Sequence, residues 1–401
     1  MSSTNGKSVH HGEPTANATR KADIGLLAAL SIGVGGMIGA GIFSILGVVA
    51  RVAGSAMPLS FAIGGVVAGL AAYSYVALGK TFPSVGGAVT FLVRGYGEGV
   101  ASGSLNLFQY FSYITTIALY APASWPGPLA IFTGAGVLFV GYEGFGLITN
   151  AAANMAKAKR ELPRAIYGSV AIAIVIYLLV ASGVVTNVPL DVLTGLGNSA
   201  LAVAAKPSLG QAGFRLIAIA ALLSTASAVN ATLFGSTNIA YQIAKNGGLP
   251  PAFDRKLWGR DVEGLFITSG LVLVFVLLFP LSAVASMGSA GFLLVYSAVN
   301  IGHMRIRNQT GAKAWPVVAS AVTCLSLFVV LVYHMIATAP TSAIALGVTL
   351  AGSFLFETVY RRRTGRTFKA ILTQTDPVCR RSSYPAALRS SNPPPGPGDS
   401  F

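Results

Sequence analysis

Of 401 residues, 53% are hydrophobic and only 10% are charged, less than half the charge of an ordinary soluble domain, and the mean hydropathy is +0.68. A water-soluble surface cannot be covered with that composition. The 27 Lys and Arg outnumber the 12 Asp and Glu, giving a formal net charge of +15. No soluble basic face with aromatic or motif context goes with them, which argues against a nucleic-acid partner.

Residues 1–22 are polar and are expected to be a disordered tail. The first apolar stretch begins at Ile24 and continues to Ala50, too long for the core of a signal peptide, and no small-residue cleavage site follows it. Windows of about 20 mostly apolar residues, enough to cross a bilayer core of about 30 Å as helix, then recur along the chain. Ten spans are predicted, at 24–50, 57–78, 99–121, 129–151, 166–188, 213–240, 264–282, 284–302, 315–336 and 340–360. Only the region from Pro280 to Ala285 separates the seventh from the eighth, so charge has to decide between nine and ten. With ten spans and a cytoplasmic N-terminus, every Lys and Arg except Arg51, Lys206 and Arg215 falls on one side, as the positive-inside rule requires. Nine spans would scatter them. Both termini are therefore expected in the cytoplasm of a cell-membrane protein, with one transmembrane domain over 23–361. A basic, Pro-rich tail without a fold of its own follows over 362–401. Two cysteines, Cys324 in an apolar run and Cys379 in the tail, imply no disulfide framework.

The first span contains Gly33, Gly35, Gly36, Gly39 and Gly41. Small residues at this spacing suit close helix packing, or they mark a break in the helix. The fourth span is interrupted at its centre as well, by Gly141-Tyr142-Glu143-Gly144-Phe145-Gly146. A pair of Gly-interrupted spans points to a secondary transporter's binding site, because backbone freed at mid-membrane depth must line a cavity or be buried in protein. The second half of the first span, starting near Gly41, would aim amides and a positive dipole end at a carboxylate. The first half of the fourth, ending near Gly141, would aim carbonyls at an ammonium group. Glu143 is the only acidic residue placed near the middle of a span. It reads either as a protonated side chain bonded to a neighbouring helix or as a proton carrier or counter-charge.

Ser224, Thr225, Ser227, Asn230 and Thr232 in the sixth span read as interhelical hydrogen bonders or as substrate-path residues, Asn230 and Thr232 lying nearest the level of the two breaks. Asn106, Gln109 and Tyr110 in the third span read the same way. His303 and His334 have no partner at metal-ligand spacing, and no phosphate loop or nucleophile motif is present, so neither a cofactor nor an enzyme is expected.

Four motifs in order resemble the amino acid/polyamine/organocation permease superfamily. They are Gly36-Met37-Ile38-Gly39-Ala40-Gly41-Ile42-Phe43; the run from Ala72 through Phe82-Pro83-Ser84-Val85-Gly86-Gly87-Ala88 to Gly97; Tyr142-Glu143-Gly144-Phe145 with Glu161-Leu162-Pro163-Arg164; and Ala244-Lys245-Asn246-Gly247-Gly248-Leu249-Pro250. The resemblance implies an all-α integral membrane protein with the leucine-transporter-like inverted-repeat fold, in which helices one and six are the broken pair. Here the second broken helix is only the fourth span. The family's helices four and five, on the order of 80 residues with their connections, have no counterpart between Tyr120 and the linker Ser124–Gly127, so the first repeat is incomplete. The loop 152–160 also lacks acidic residues frequent in relatives, with Ala153, Asn154 and Ala156 in their place, and Ala40 replaces a frequent serine.

The function implied is secondary transport of amino acids or related organic cations by alternating access, with proton symport or exchange. The expected site places the substrate carboxylate on Gly39, Ala40 and Gly41 and the amine near Gly141 and Glu143. Tyr142, Gly144, Asn230 and Thr232 would lie around it, and Glu143 is the proton-coupling candidate. The alternative is a truncated paralogue that inserts without transporting and acts as a binding or partner subunit.

Overall fold

A computed structural model describes residues 24–84, 86–117, 128–152, 155, 157–189, 192–193, 200–245, 247–253, 263–278 and 281–364. The two tails beyond Ile24 and Thr364, the Tyr120 to Gly127 junction, and Ala153, Asn154 and Ala156 lie outside the described residues.

The described chain is helical, as apolar runs must be where no water is available to the backbone. Its elements are α1 (Leu26–Ala40), a π-helical turn (Gly41–Ile45), α2 (Leu46–Ala53), α3 (Met57–Thr81), α4 (Ala88–Tyr96), α5 (Val100–Ile117) and α6 (Pro128–Leu138). A 3₁₀ turn (Phe139–Tyr142) leads into α7 (Gly144–Ala151), followed by α8 (Ala158–Asn187), α9 (Ala200–Ala204), α10 (Lys206–Lys245), α11 (Glu263–Leu278), α12 (Leu281–Thr310), α13 (Ala314–Thr338) and α14 (Pro340–Thr364). A 3₁₀ turn over Gly54–Ala56 joins α2 to α3, and Gly54 has φ 55°, a left-handed conformation open to glycine.

Within the described residues each predicted span falls on helix, but the spans are not ten uniform crossings. Among the described residues eight stretches are long and apolar enough to cross a membrane: Leu26–Phe43, Leu46–Thr81, Ala130–Ala151, Ala158–Asn187, Lys206–Lys245, Val284–Thr310, Ala314–Thr338 and Pro340–Thr364. The two predicted spans outside this set depart from it for different reasons. In α5, Ser104, Asn106, Gln109, Tyr110 and Ser112 are buried, so a helix placed inside the bundle carries polar groups that lower its hydropathy. In α11 the apolar stretch found among the described residues is Gly264–Phe275, and the rest of the predicted span, to 282, runs over positions outside the description. The last helix also continues to Thr364, past the expected end of the transmembrane domain at 361.

α1 lies between α7, α8 and α10, while α3 packs on α6, α8 and α13, and α12 on α4, α5 and α13. The span carrying Glu143 is the innermost, with 89% of its apolar window buried; α10 is the least covered, at 11%.

Candidate functional site

At the glycines of the first span the helix changes pitch and does not unwind. α1 runs to Ala40, the backbone N–H of Gly41 donates to the Met37 carbonyl, and a π turn then carries the chain into α2. The expectation of freed amides at Gly39, Ala40 and Gly41 is therefore corrected: the helical ladder continues through them. The fourth span behaves likewise, tightening to a 3₁₀ turn in which Glu143 N–H donates to Val140 O at 3.2 Å and Gly146 N–H to Glu143 O at 2.7 Å. An orphaned amide in a dry interior costs several kcal/mol, whereas a local π or 3₁₀ turn keeps a glycine-rich segment bonded.

The two irregular turns meet backbone to backbone at Gly41 and Gly141, with the Tyr177 hydroxyl and the Ile45 side chain packed beside the contact. A Cβ on Gly141 would lie 3.0 Å from Gly41 Cα, and one on Gly144 would lie 2.5 Å from Gly33 O and 2.7 Å from Met37 N. Of the two sequence readings, close packing describes this contact. Side chains from neighbouring helices add hydrogen bonds to the backbone at the irregularities. The Tyr177 hydroxyl, from α8, reaches the Met37 carbonyl at 2.5 Å and the Gly141 carbonyl at 2.9 Å. The Ser289 hydroxyl, from α12, donates to Val137 O at 2.6 Å and accepts from Val140 N–H at 3.4 Å.

Glu143 is 4% exposed, and its carboxylate leans toward α5 and α12, not toward Gly41. Tyr113 donates to Oε1 at 2.5 Å and Tyr296 to the same oxygen at 3.4 Å, within a ring cluster that includes Tyr75, Phe145 and Phe292. Its neighbour Tyr142 is fully buried and points elsewhere again, its hydroxyl donating to Phe61 O at 3.0 Å.

The other predicted positions separate. Gly39 packs its backbone on α10, where a Cβ would lie 2.6 Å from Ala228 Cβ. Thr232 is buried on the same helix, but Asn230 is exposed, and the structure does not bring it to the Gly41–Gly141 contact. The Ala40 side chain lies outside the description. Asn106 reaches Val89 O at 3.4 Å and Tyr110 meets Thr268 at 2.8 Å, which are interhelical bonds. Tyr113, Tyr177, Ser289 and Tyr296 were not singled out from the sequence. The signal for Tyr177 is a phenol amid the aliphatic run Ile174-Val175-Ile176, but nothing local says which break it reaches.

The family profile described as amino acid permease matches residues 120–360. An uncharacterized protein of Methanocaldococcus jannaschii is 34% identical over 420 aligned positions covering 86% of this chain and 97% of its own. The chain belongs to the amino acid permease family. Other relatives of this permease include the inner membrane transport protein YbaT of Escherichia coli, 28% identical over 78% of this chain and 90% of that protein. The serine/threonine exchanger SteT of Bacillus subtilis is 24% identical over 57% of this chain and 70% of its own.

The permease is a multi-pass, all-α membrane protein and not an enzyme. Its alignment with the archaeal relative holds only about 345 of its own residues in 420 positions, so about 75 positions of that relative have none here. The E. coli alignment, 387 positions with 78% of this chain, gives about the same shortfall. That is about the length expected of two helices with their connections, as the motif spacing between Tyr120 and Ser124 predicts.

Proposed function

We propose that this permease moves an amino acid or related small organic cation across the cell membrane by alternating access, with both termini in the cytoplasm. The observation that carries the reading is Tyr177, one hydroxyl set against two backbone carbonyls at the contact of the two glycine-rich turns. A hydroxyl has one hydrogen for those two acceptors. An ammonium group has three, so a substrate amine competes well for the same carbonyls once α1 and α6–α7 part. Backbone carbonyls read the α-ammonium that every amino acid carries and ignore the side chain. This suits a family whose members are named for different amino acids. In this reading the closed Gly41–Gly141 contact is the unliganded resting arrangement. Glu143, held by two phenols, takes the proton of a symport cycle and is not the counter-charge of the amine.

Uptake of a panel of labelled amino acids into proteoliposomes tests the proposal. Tyr177→Phe is expected to lower KM by roughly 2- to 10-fold, since removing a competing hydrogen bond is worth about 0.5–1.5 kcal/mol. A raised KM would mean that Tyr177 binds substrate and does not displace it. Glu143→Gln is expected to flatten the dependence of uptake on external pH; an unchanged profile assigns coupling elsewhere or leaves exchange as the mode.

A second reading, a non-transporting binding or partner subunit, is favoured by the 11% coverage of α10, by exposed Asn230 within the sixth predicted span, and by the shortfall of about 75 residues. Thermal stabilisation by an amino acid without any flux would select it.

A further inference from the structure

Away from the glycine contact, α5, α11, α14 and the segment 249–253 border a half-open cavity of about 430 Å³ lined by Leu107, Phe111, Leu271, Phe275 and Phe356, among others. The polar atoms on its wall are already engaged, the Tyr110 hydroxyl with Thr268 at 2.8 Å and the Thr349 hydroxyl with Ala345 O at 2.8 Å. Such a wall has little to offer a polar ligand. An open depression of about 450 Å³ on the face of α14 shares Gly352 and Phe356 with the first and continues past Val359 and Tyr360 to Arg363. Together they form one furrow, apolar along most of its length and ending at a guanidinium.

Its length fits one leaflet. From Val348 to Arg363 the furrow follows 15 residues of helix, about 22 Å at 1.5 Å per residue. Half of a bilayer with its headgroup layer is about 20–22 Å. Charge is distributed to match. Arg361 is taken up by Glu357 at 2.8 Å, and its Nη1 reaches the Glu98 carbonyl at 3.5 Å, whereas Arg362 and Arg363 continue beyond that pair. The chain follows them with Arg366 and Lys369. At Gly352 no heavy atom lies within 4 Å of where a Cβ would stand, so the furrow is open there.

We propose that this furrow holds one anionic phospholipid, an acyl chain lying against Gly352 and Phe356 and the phosphate resting on Arg363. The apolar wall accepts any acyl chain. Selection therefore comes from the headgroup, and a basic residue near the headgroup is worth about 1 kcal/mol toward an anionic lipid, roughly five-fold.

Native mass spectrometry of the full chain in detergent, offered equimolar phosphatidylglycerol and phosphatidylcholine, reads this directly. One phosphatidylglycerol retained per chain in preference to phosphatidylcholine is the expected result. Arg363→Gln should cut that preference about five-fold while leaving phosphatidylcholine retention unchanged. Gly352→Leu, which projects into open space, should lower retention of both lipids at an unchanged melting temperature. Equal retention of the two lipids by the wild type, or Gly352→Leu binding like the wild type, would overturn the proposal. A protein segment found in the furrow would do the same.

Discussion

Gly144 shows how little freedom a single position has at the centre of this molecule. Its missing Cβ would meet Gly33 O and Met37 N, which are backbone atoms of α1 that cannot rotate away. Gly144→Ala is therefore expected to destabilise by about 1–3 kcal/mol, the usual cost of overpacking. Gly352→Ala, with no atom within 4 Å of its Cβ, should be neutral or gain up to about 1 kcal/mol from helix propensity. Thermal unfolding of the two variants in the same detergent gives the comparison, and equal melting temperatures would deny the tight contact. Glu143 could be found in the sequence, because acid is scarce and this carboxylate alone sits mid-span. Its partners could not. Tyr113 and Tyr296 are 30 and 153 residues away, and on a 3₁₀ turn successive side chains diverge, so adjacency to Gly141 did not carry the carboxylate to the Gly41 face.

At the scale of elements, hydropathy reported where helices run, because a long apolar run in a membrane has few other ways to bond its backbone. It did not report what the glycine clusters do. Five glycines in α1 and its π turn are compatible with an unwound segment or with a close neighbour. The difference is made by side chains on other helices, Tyr177 of α8 and Ser289 of α12, that bond to the carbonyls and to one amide at the irregular turns. Tyr177→Phe should for this reason, besides lowering KM, destabilise the fold by about 0.5–1.5 kcal/mol through the hydrogen bond lost at the buried Gly141 carbonyl, read as a lower melting temperature. A variant with altered KM and wild-type stability would place the hydroxyl in the transport step alone. α5 shows the opposite limit of the hydropathy signal. Its buried Asn106, Gln109 and Ser112 make an interior helix look less like a span than the lipid-exposed α8 does.

For the molecule as a whole, the distribution of Lys and Arg argues for cytoplasmic termini, and the native thiols offer a direct check. Cys324 is fully buried on α13, so a membrane-impermeant maleimide should leave it alone. Cys379, in the basic C-terminal segment, should react only after permeabilisation; labelling in intact cells would invert the topology. The family and the helical architecture were legible because motif order and apolar periodicity are local properties. The packing of α1 on α6–α7 was not, since it depends on which helices remain to press upon them. The seam between Gly41 and Gly141 also bears on speed. Interlocked side chains resist sliding because each must swing through an eclipsed rotamer before its neighbour can pass. Here the facing positions are glycines and the teeth are few, the Ile45 methyl at 3.3 Å and the Tyr177 hydroxyl at 3.4 Å from where a Gly141 Cβ would stand. In the proposed transport cycle such a seam should therefore part with little side-chain friction, its waiting time set by the lifetime of one phenol's hold on two carbonyls.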